Sequence, residues 1–519
     1  MNRNHRPPTL HGEALIDLLQ EQIDQHSGGL QTALAPFDAG SAVAAWMETL
    51  RAVEEFINLP LFGLDDEVIE AALIALPLDA AVSRPRRLRA VRHHIAYRYG
   101  EAFAQRFSTL LLQGMAIGHA FAQRGIASGA AGFVTVATMV GYLQSRRRHL
   151  VSLLYTLPTA CRGDRTVVPL DTLNQFLPLV ELNGVTLTGL YQQLMLAMAD
   201  PNYSVALGAH GFLGSQEYPA LDSLFLEPER ASIVEMHAAS PSPAGLATLE
   251  PVRAERLFSA AELRNDIRHL EAAYAEFDLT GSDFRHAARF VRRLSELAQD
   301  EYWITLSPAR FDALAAEHAL SPSLKRALVD RSDSYVASTN SYAPMIAIAG
   351  ELRTTVTLLS RFLYYWKNVC LYKSRRFQIR SGFIFEQTIA DALARQRFTL
   401  TGIKRLNRKE FDVVALRDGV IFNIQCKNNL VDLSRLEADV ALFVRYNRAR
   451  VRSYERALRK EAGREALLTA ELGIDRIEHF VVTRFPVASN NPRIIAFSRF
   501  DTFDTVASAL AESASDILA

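Results

Sequence analysis

Apolar residues recur at three-to-four spacing through much of the first 370 positions, clearest in GEALIDLLQEQIDQH, SAVAAWMETLRAVEEFI, AAELRNDIRHLEAAYAEF and DFRHAARFVRRLSELA. That period matches the turn of an α-helix, so each segment predicts an amphipathic helix with one face on a core. Clusters of Pro, Gly and Ser predict breaks near 28–40, 158–166, 200–220 and 239–250, and ASPSPAG marks the clearest linker. Alternating, strand-like runs are few in this region, and no fixed-period repeat points to a solenoid. Its last helix is expected from about Pro344 through TLLSRFLYYWKNVCLYK. The aromatics Phe362, Tyr364, Tyr365 and Trp366 read as core or interdomain packing, with a stacking platform for bases as the alternative.

After residue 380 the pattern becomes mixed. A helix is expected over Gly382–Arg397, then strands near 398–405, 410–416 and 420–427. A long basic helix over about 433–462 follows, then strands at 477–484 and 493–498 and a closing helix at 503–518. The sum is α-β-β-β-α-β with an extension. The expected fold class is therefore α+β and multidomain: a mainly α-helical region over 1–372, with a subdivision near 239–250, and an α/β domain over 373–519.

Composition is that of a folded globular chain, 49% hydrophobic and 22% charged over 519 residues. Cys161, Cys370 and Cys426 are too scattered for a disulfide framework or a zinc site. The N-terminus lacks the apolar run of a secretory signal, which predicts a cytoplasmic protein. The uncharged stretch Gly125 to Ser145, followed by Arg146, Arg147 and Arg148, reads either as part of a buried helix pair or as a membrane span with a basic flank. Its Gly, Ala, Ser and Thr content favours buried helices, and no stable membrane association is expected.

Formal net charge is zero, but Arg361 to Arg464 holds 23 Lys and Arg against 10 Asp and Glu, an excess of 13 that the rest of the chain balances. A basic module on an acidic one suits binding to a polyanion, unless these are simply solvated helix faces. The chemistry inside this window decides between them. In Val420-Ile-Phe-Asn-Ile-Gln-Cys-Lys427 the period of two puts Asn423, Gln425 and Lys427 on one face. Glu410-Phe-Asp-Val-Val-Ala-Leu416 precedes it across Asp418-Gly419, a strong hairpin signal that can bring Asp412 to Gln425 and Lys427. A carboxylate and an amide oxygen are donors that Mg²⁺ accepts, with Mn²⁺ as a substitute, and Glu386 on the preceding helix adds a second carboxylate. The Lys427 ammonium can activate water or stabilise charge on a phosphate.

GFIFEQTIADAL followed by KEFDVVALRDGVIFNIQCKN resembles the PD-(D/E)XK nuclease superfamily, and its Gln-Cys-Lys spelling looks like the Mrr-type restriction endonucleases. The resemblance spans roughly residues 375–500. It implies a restriction-endonuclease-like fold, Mg²⁺ dependence and DNA as substrate, with Asp412 and Gln425 as metal ligands, Lys427 as the catalytic lysine and Glu386 as the helix acid. Phe411 stands where the name-giving pattern has Pro, and Gln425 where many members have Asp or Glu. Arg376, Arg380, Lys404, Arg405, Arg408, Lys409, Arg448 and Arg452 are expected to neutralise phosphates. A helical region joined to such a nuclease looks similar to bacterial restriction and anti-phage defence effectors. It would act as a homo-oligomer, and with no phosphate-binding loop in the chain any energy-driven step would need a separate ATPase or sensor partner.

Two other readings remain open. A domain with a weakened metal site would bind nucleic acid without cutting it. Arg264-Asn-Asp-Ile-Arg-His269 matches the Arg-x4-His spelling of HEPN-type ribonucleases, which would make RNA the substrate.

Overall fold

The computed structural model describes residues 9–58, 85–123, 135–208, 211–214, 249–250, 258–485 and 487–508. In chain order the first elements are β1 (Thr9–His11), α1 (Gly12–Leu34), α2 (Ala39–Asn58), α3 (Pro85–Tyr99), α4 (Glu101–Gln123) and α5 (Val136–Ala160). A helical run with π turns then leads into α6 (Thr186–Ala199), and β2 (Ser204–Gly208) and β3 (Gly211–Gly214) close a small sheet with β1. Helix α1 continues through Gly28 and Gly29 to Leu34, so the break expected from residue 28 begins later: Leu30 and Leu34 are buried, and their packing outweighs the glycines' helix cost. The ASPSPAG linker lies outside the described residues.

The second group comprises α7 (Ala260–Ala273), α8 (Phe284–Ser295), β4 (Trp303–Leu306), α9 (Pro308–Glu317), α10 (Pro322–Leu328), β5 (Ile346–Ile348), β6 (Glu351–Thr355) and α11 (Val356–Leu371). The helix expected from Pro344 is corrected here. Residues 346–355 form a hairpin that pairs with β4, turning at Ala349 and Gly350 with φ of 50° and 78°, and α11 starts only where Thr355 caps Leu358. Two three-stranded sheets thus stand in a region expected to hold few strands. The strands were too short for alternation to be seen.

The C-terminal part follows as α12 (Arg375–Arg395), β7 (Thr399–Leu400), β8 (Arg405–Leu406), β9 (Lys409–Glu410), β10 (Val413–Arg417), β11 (Val420–Lys427), α13 (Leu433–Ala438), α14 (Val440–Ala462), α15 (Glu465–Leu472), β12 (Ile477–Thr483) and β13 (Ile494–Ala496). Five strands form one mixed sheet in the order β13-β12-β11-β10-β7, antiparallel from β7 to β11 and parallel from β11 to β13. Several expected limits shift. Helix α12 begins at Arg375, seven residues early, because Ser374 caps it at Phe377. The first expected strand shrinks to β7 and a separate β8–β9 hairpin. The basic helix breaks at Asp439, whose carboxylate caps Leu442 and starts α14. The closing helix is described only over 503–508.

Under the sheet lies an aromatic core of Phe398, Phe422, Phe480, Phe500 and Phe503 in mutual contact, covered by Phe385, Ile389 and Leu393 of α12. Packing is continuous across the boundary expected at 372, since Phe377 and Ile384 of α12 join the core of α7, α8 and α11. Leu15, Leu19 and Leu194 of the helical region likewise pack with Leu436 and Phe443 of α13 and α14.

The Arg146–Arg148 run lies inside α5 and serves packing. Arg146 pairs with Glu181 at 2.7 Å, Arg147 with Glu54, and Arg148 with Glu437 of α13, the last pair fully buried. Successive helical residues point about 100° apart, so three adjacent arginines reach three different neighbours. Among the described residues no helix is long and apolar enough to cross a membrane.

Candidate active site

The β10–β11 hairpin turns at Asp418 and Gly419, with φ of 51° and 72°, the paired positive angles that an Asp-Gly turn supplies at little cost. Its register sets Val413 opposite Ile424, so Asp412, one residue earlier, falls level with Gln425. The Asp412 carboxylate is fixed there: its Oδ2 accepts a hydrogen bond from the Cys426 backbone N–H at 2.8 Å. Alternation along β11 is as expected. Phe422 and Ile424 enter the aromatic core, while Asn423 and Gln425 are buried on the opposite side and Lys427 follows them, half-buried.

Helix α12 brings the second carboxylate. Phe385, Ile389 and Leu393 repeat at four-residue spacing against the sheet, and Glu386, next to Phe385, emerges beside Asp412. Lys404 completes the group. The β8–β9 hairpin turns back at Asn407 and Arg408, both with positive φ, and Phe411 N–H donates to the Lys404 carbonyl at 3.1 Å. The Lys404 ammonium then donates to Glu386 Oε2 at 3.1 Å and to the Asp412 main-chain oxygen.

Burial pushes the Glu386 carboxyl above its usual range. The Lys404 hydrogen bond opposes this and the Asp412 charge adds to it. Burial also raises Asp412, against the pull of Lys427 and the Cys426 N–H, with Glu461 raising it further. Two carboxylates thus share a poorly solvated place, which favours any cation between them. The Cys426 thiol is pushed well up, chiefly by burial and then by Asp412 and Glu386, so it is no nucleophile at neutral pH.

A cleft of about 910 Å³ opens on this group, lined by Glu386, Asp412, Lys404, Arg405, Arg380 and the exposed ring of Phe383, among others. Lys427 Nζ donates to Gln425 Oε1 at 3.0 Å, and its charge still acts on both Asp412 and Glu386. Of the expected metal set, Glu386 and Asp412 line the cleft, and the Gln425 oxygen accepts a hydrogen bond from the lysine. Among the described residues no group of three or more His, Cys, Asp or Glu is arranged to hold a metal.

The expected phosphate contacts divide. Arg405 pairs with Glu410 at 2.7 Å and Arg380 with Glu276 at 3.4 Å. Arg376, Arg408 and Lys409 are exposed, and so are Arg448 and Arg452 of α14. Arg264 is committed to Glu250, at 2.9 and 3.0 Å from its Nε, and His269, five positions along α7, points about 140° away around the helix.

Two features were not foreseen. Lys404 contacts the Glu386 carboxylate and the Asp412 main-chain oxygen, and the only hint was a two-residue turn, Asn407-Arg408, folding it back alongside Asp412. Behind the sheet, Asn423 Nδ2 donates to Glu461 Oε2 at 3.1 Å and lies 3.2 Å from His479 Nδ1, a buried polar group beneath α14. Its register pairing of Asn423 with His479 required knowing that β12 runs parallel to β11.

No known protein family, curated protein or solved structure matches the chain.

Proposed function

We propose that residues 373–519 form a Mg²⁺-dependent phosphodiesterase of the PD-(D/E)XK type acting on DNA, regulated by the helical region as in restriction or anti-phage defence effectors. The single observation that carries this reading is the convergence of Glu386, Asp412 and a lysine ammonium at one end of the β10–β11 hairpin, in an open cleft. With the β8–β9 hairpin and the short helices α13 and α15 set aside, the order α12-β7-β10-β11-α14-β12 is the αβββαβ arrangement that the resemblance implies, which supports the reading. The defence role and the oligomer rest on the resemblance alone.

The residues suit the ion. Glu386 and Asp412 offer hard oxygen donors, and Lys404 already stands as a cation between Glu386 and the Asp412 main-chain oxygen. Two carboxylates are few, yet Mg²⁺ is commonly held by one or two carboxylates with waters and substrate phosphate. Bound there, the ion would polarise a phosphoryl oxygen and lower the pKa of a water. Asp412 is oriented for this by the Cys426 N–H, and Glu386 by its place beside the buried Phe385. Lys427 exchanges its hydrogen bond to Gln425 for one to the attacking water or the phosphate, which frees the Gln425 oxygen as a further donor. The exposed Arg376, Arg408 and Lys409 would hold flanking phosphates.

The test is cleavage of plasmid and linear DNA with Mg²⁺ or Mn²⁺ and its loss with EDTA. Asp412→Ala and Lys427→Ala should each lower the rate by about a hundredfold or more with the fold retained. Parent-like cutting by both variants would end this reading. A second reading, a domain that binds DNA without cutting it, is favoured by the Lys427–Gln425 hydrogen bond, which engages both side chains with each other. It predicts salt-sensitive binding and no cleavage with any metal.

A further inference from the structure

We infer that Lys404 is a built-in counter-ion for the acidic pair: it occupies the ground between Glu386 and Asp412 until a divalent cation displaces it, and then turns to a substrate phosphate. This rests on the metal-site reading above and adds to it a link between loading the ion and gripping DNA.

Three observations converge on Lys404. Its ammonium touches both acidic residues, the Glu386 carboxylate and the main-chain oxygen of Asp412. Its side chain is nevertheless 62% exposed, against 20% for Glu386, so the contact can break without opening any core. Its backbone is held, since the Lys404 carbonyl accepts from Phe411 N–H and the neighbouring Arg405 is anchored to Glu410. A fixed backbone with a long flexible stem defines an arc for the charge, and the arc lies on the cleft wall.

The other cations on that wall are engaged elsewhere, Arg405 with Glu410 and Arg380 with Glu276. Lys404 is therefore the cation in direct contact with the Glu386 carboxylate, while Lys427 exerts the stronger pull on Asp412. A divalent ion entering between Glu386 and Asp412 repels the ammonium at short range, and an exposed side chain responds by swinging outward. There it meets the nearest anion, a phosphate lying along the cleft. Ion and DNA should thus each favour the other, and reciprocally, because both select the displaced position of one side chain.

The experiment uses the full chain and Mn²⁺ binding followed by electron paramagnetic resonance, for the parent, Lys404→Met and Asp412→Asn. Methionine keeps the stem and removes the charge at an exposed position. Lys404→Met should bind Mn²⁺ about tenfold more tightly than the parent, within the usual span of coupling between linked sites. Asp412→Asn should lose the binding. Equal or weaker Mn²⁺ binding by Lys404→Met, with Asp412→Asn still losing it, would overturn the counter-ion role and leave the metal site standing. Absence of any Asp412-dependent Mn²⁺ binding would overturn both. DNA affinity gives a second readout. Ca²⁺ should strengthen DNA binding by the parent and do so less in Lys404→Met, whose salt slope should fall by about one. An unchanged Ca²⁺ effect and slope would remove the phosphate-contact half of the inference.

Discussion

Helices α5 and α14 carry arginine clusters that look alike in sequence, RRR at 146–148 and RARVR at 448–452, and they use them in opposite ways. In α5 every guanidinium meets a glutamate, one of them from the C-terminal part. In α14, Arg445, Arg448, Arg452, Arg456 and Arg459 are exposed, and none has a carboxylate within ion-pair distance among the described residues. Their spacing of three and four places them in one stripe roughly 20 Å long. Local charge density therefore does not reveal its purpose. What separates the two helices is whether the fold supplies a matching acid.

The sharpest test of this contrast is the buried pair that joins the two parts. Arg148 also donates to the Thr339 carbonyl, so its removal takes the guanidinium from the buried Glu437 and a donor from that carbonyl. Arg148→Ala should cost about 3–5 kcal/mol in denaturant unfolding. Replacing both partners, Arg148→Met with Glu437→Leu, should recover much of that loss, because taking the counter-ion from a buried charge is the main penalty. A cost below about 1 kcal/mol for the single variant would mean that water reaches the pair and that α5 does not differ from α14.

On α14 the expectation inverts. The double variant Arg448→Ala, Arg452→Ala should change stability by no more than about 0.5 kcal/mol, as surface substitutions do. DNA affinity measured by fluorescence anisotropy should fall, with the salt slope reduced by about one for each arginine that contacts phosphate. Loss of stability with unchanged DNA binding would assign these arginines to the fold.

How far the sequence foretells these roles depends on the range of the interaction. The β10–β11 hairpin and the shared face of Asn423, Gln425 and Lys427 were legible, because a two-residue turn and a period of two are local. So was the placement of Asp412 near the end of β11. The contact of Lys404 with Glu386 crosses 18 positions and depends on how α12 leans on the sheet. Gln425 was readable as a donor pointing with Lys427, but not as an oxygen that the lysine itself occupies. The partners of Arg146, Arg147 and Arg148 lie 35, 93 and 289 positions away, and no pattern near α5 announces them. The hairpin of β5 and β6 was hidden for another reason: strands of three and five residues are too short to show a period.

Asp412 stands between the two kinds of charge, half-buried where the acids near α5 are buried, and only partly matched. Its folded-state pKa is raised, first by burial, so the native protein holds this proton more tightly than the unfolded chain does. Once pH exceeds the unfolded value, the ionised carboxylate therefore weighs against folding, and the penalty disappears as pH falls below both values. Asp412→Asn keeps an oxygen for the Cys426 N–H and removes the charge. In metal-free buffer at pH 7 it should melt about 1–3 °C above the parent. The gap should close on acidification toward the ordinary carboxylate range. A variant that melts lower than the parent at pH 7 would show that attraction to Lys427 and Lys404 outweighs burial. Asp412 would then be as well matched as the glutamates around α5, and the acidic pair would not be held in wait for a stronger cation.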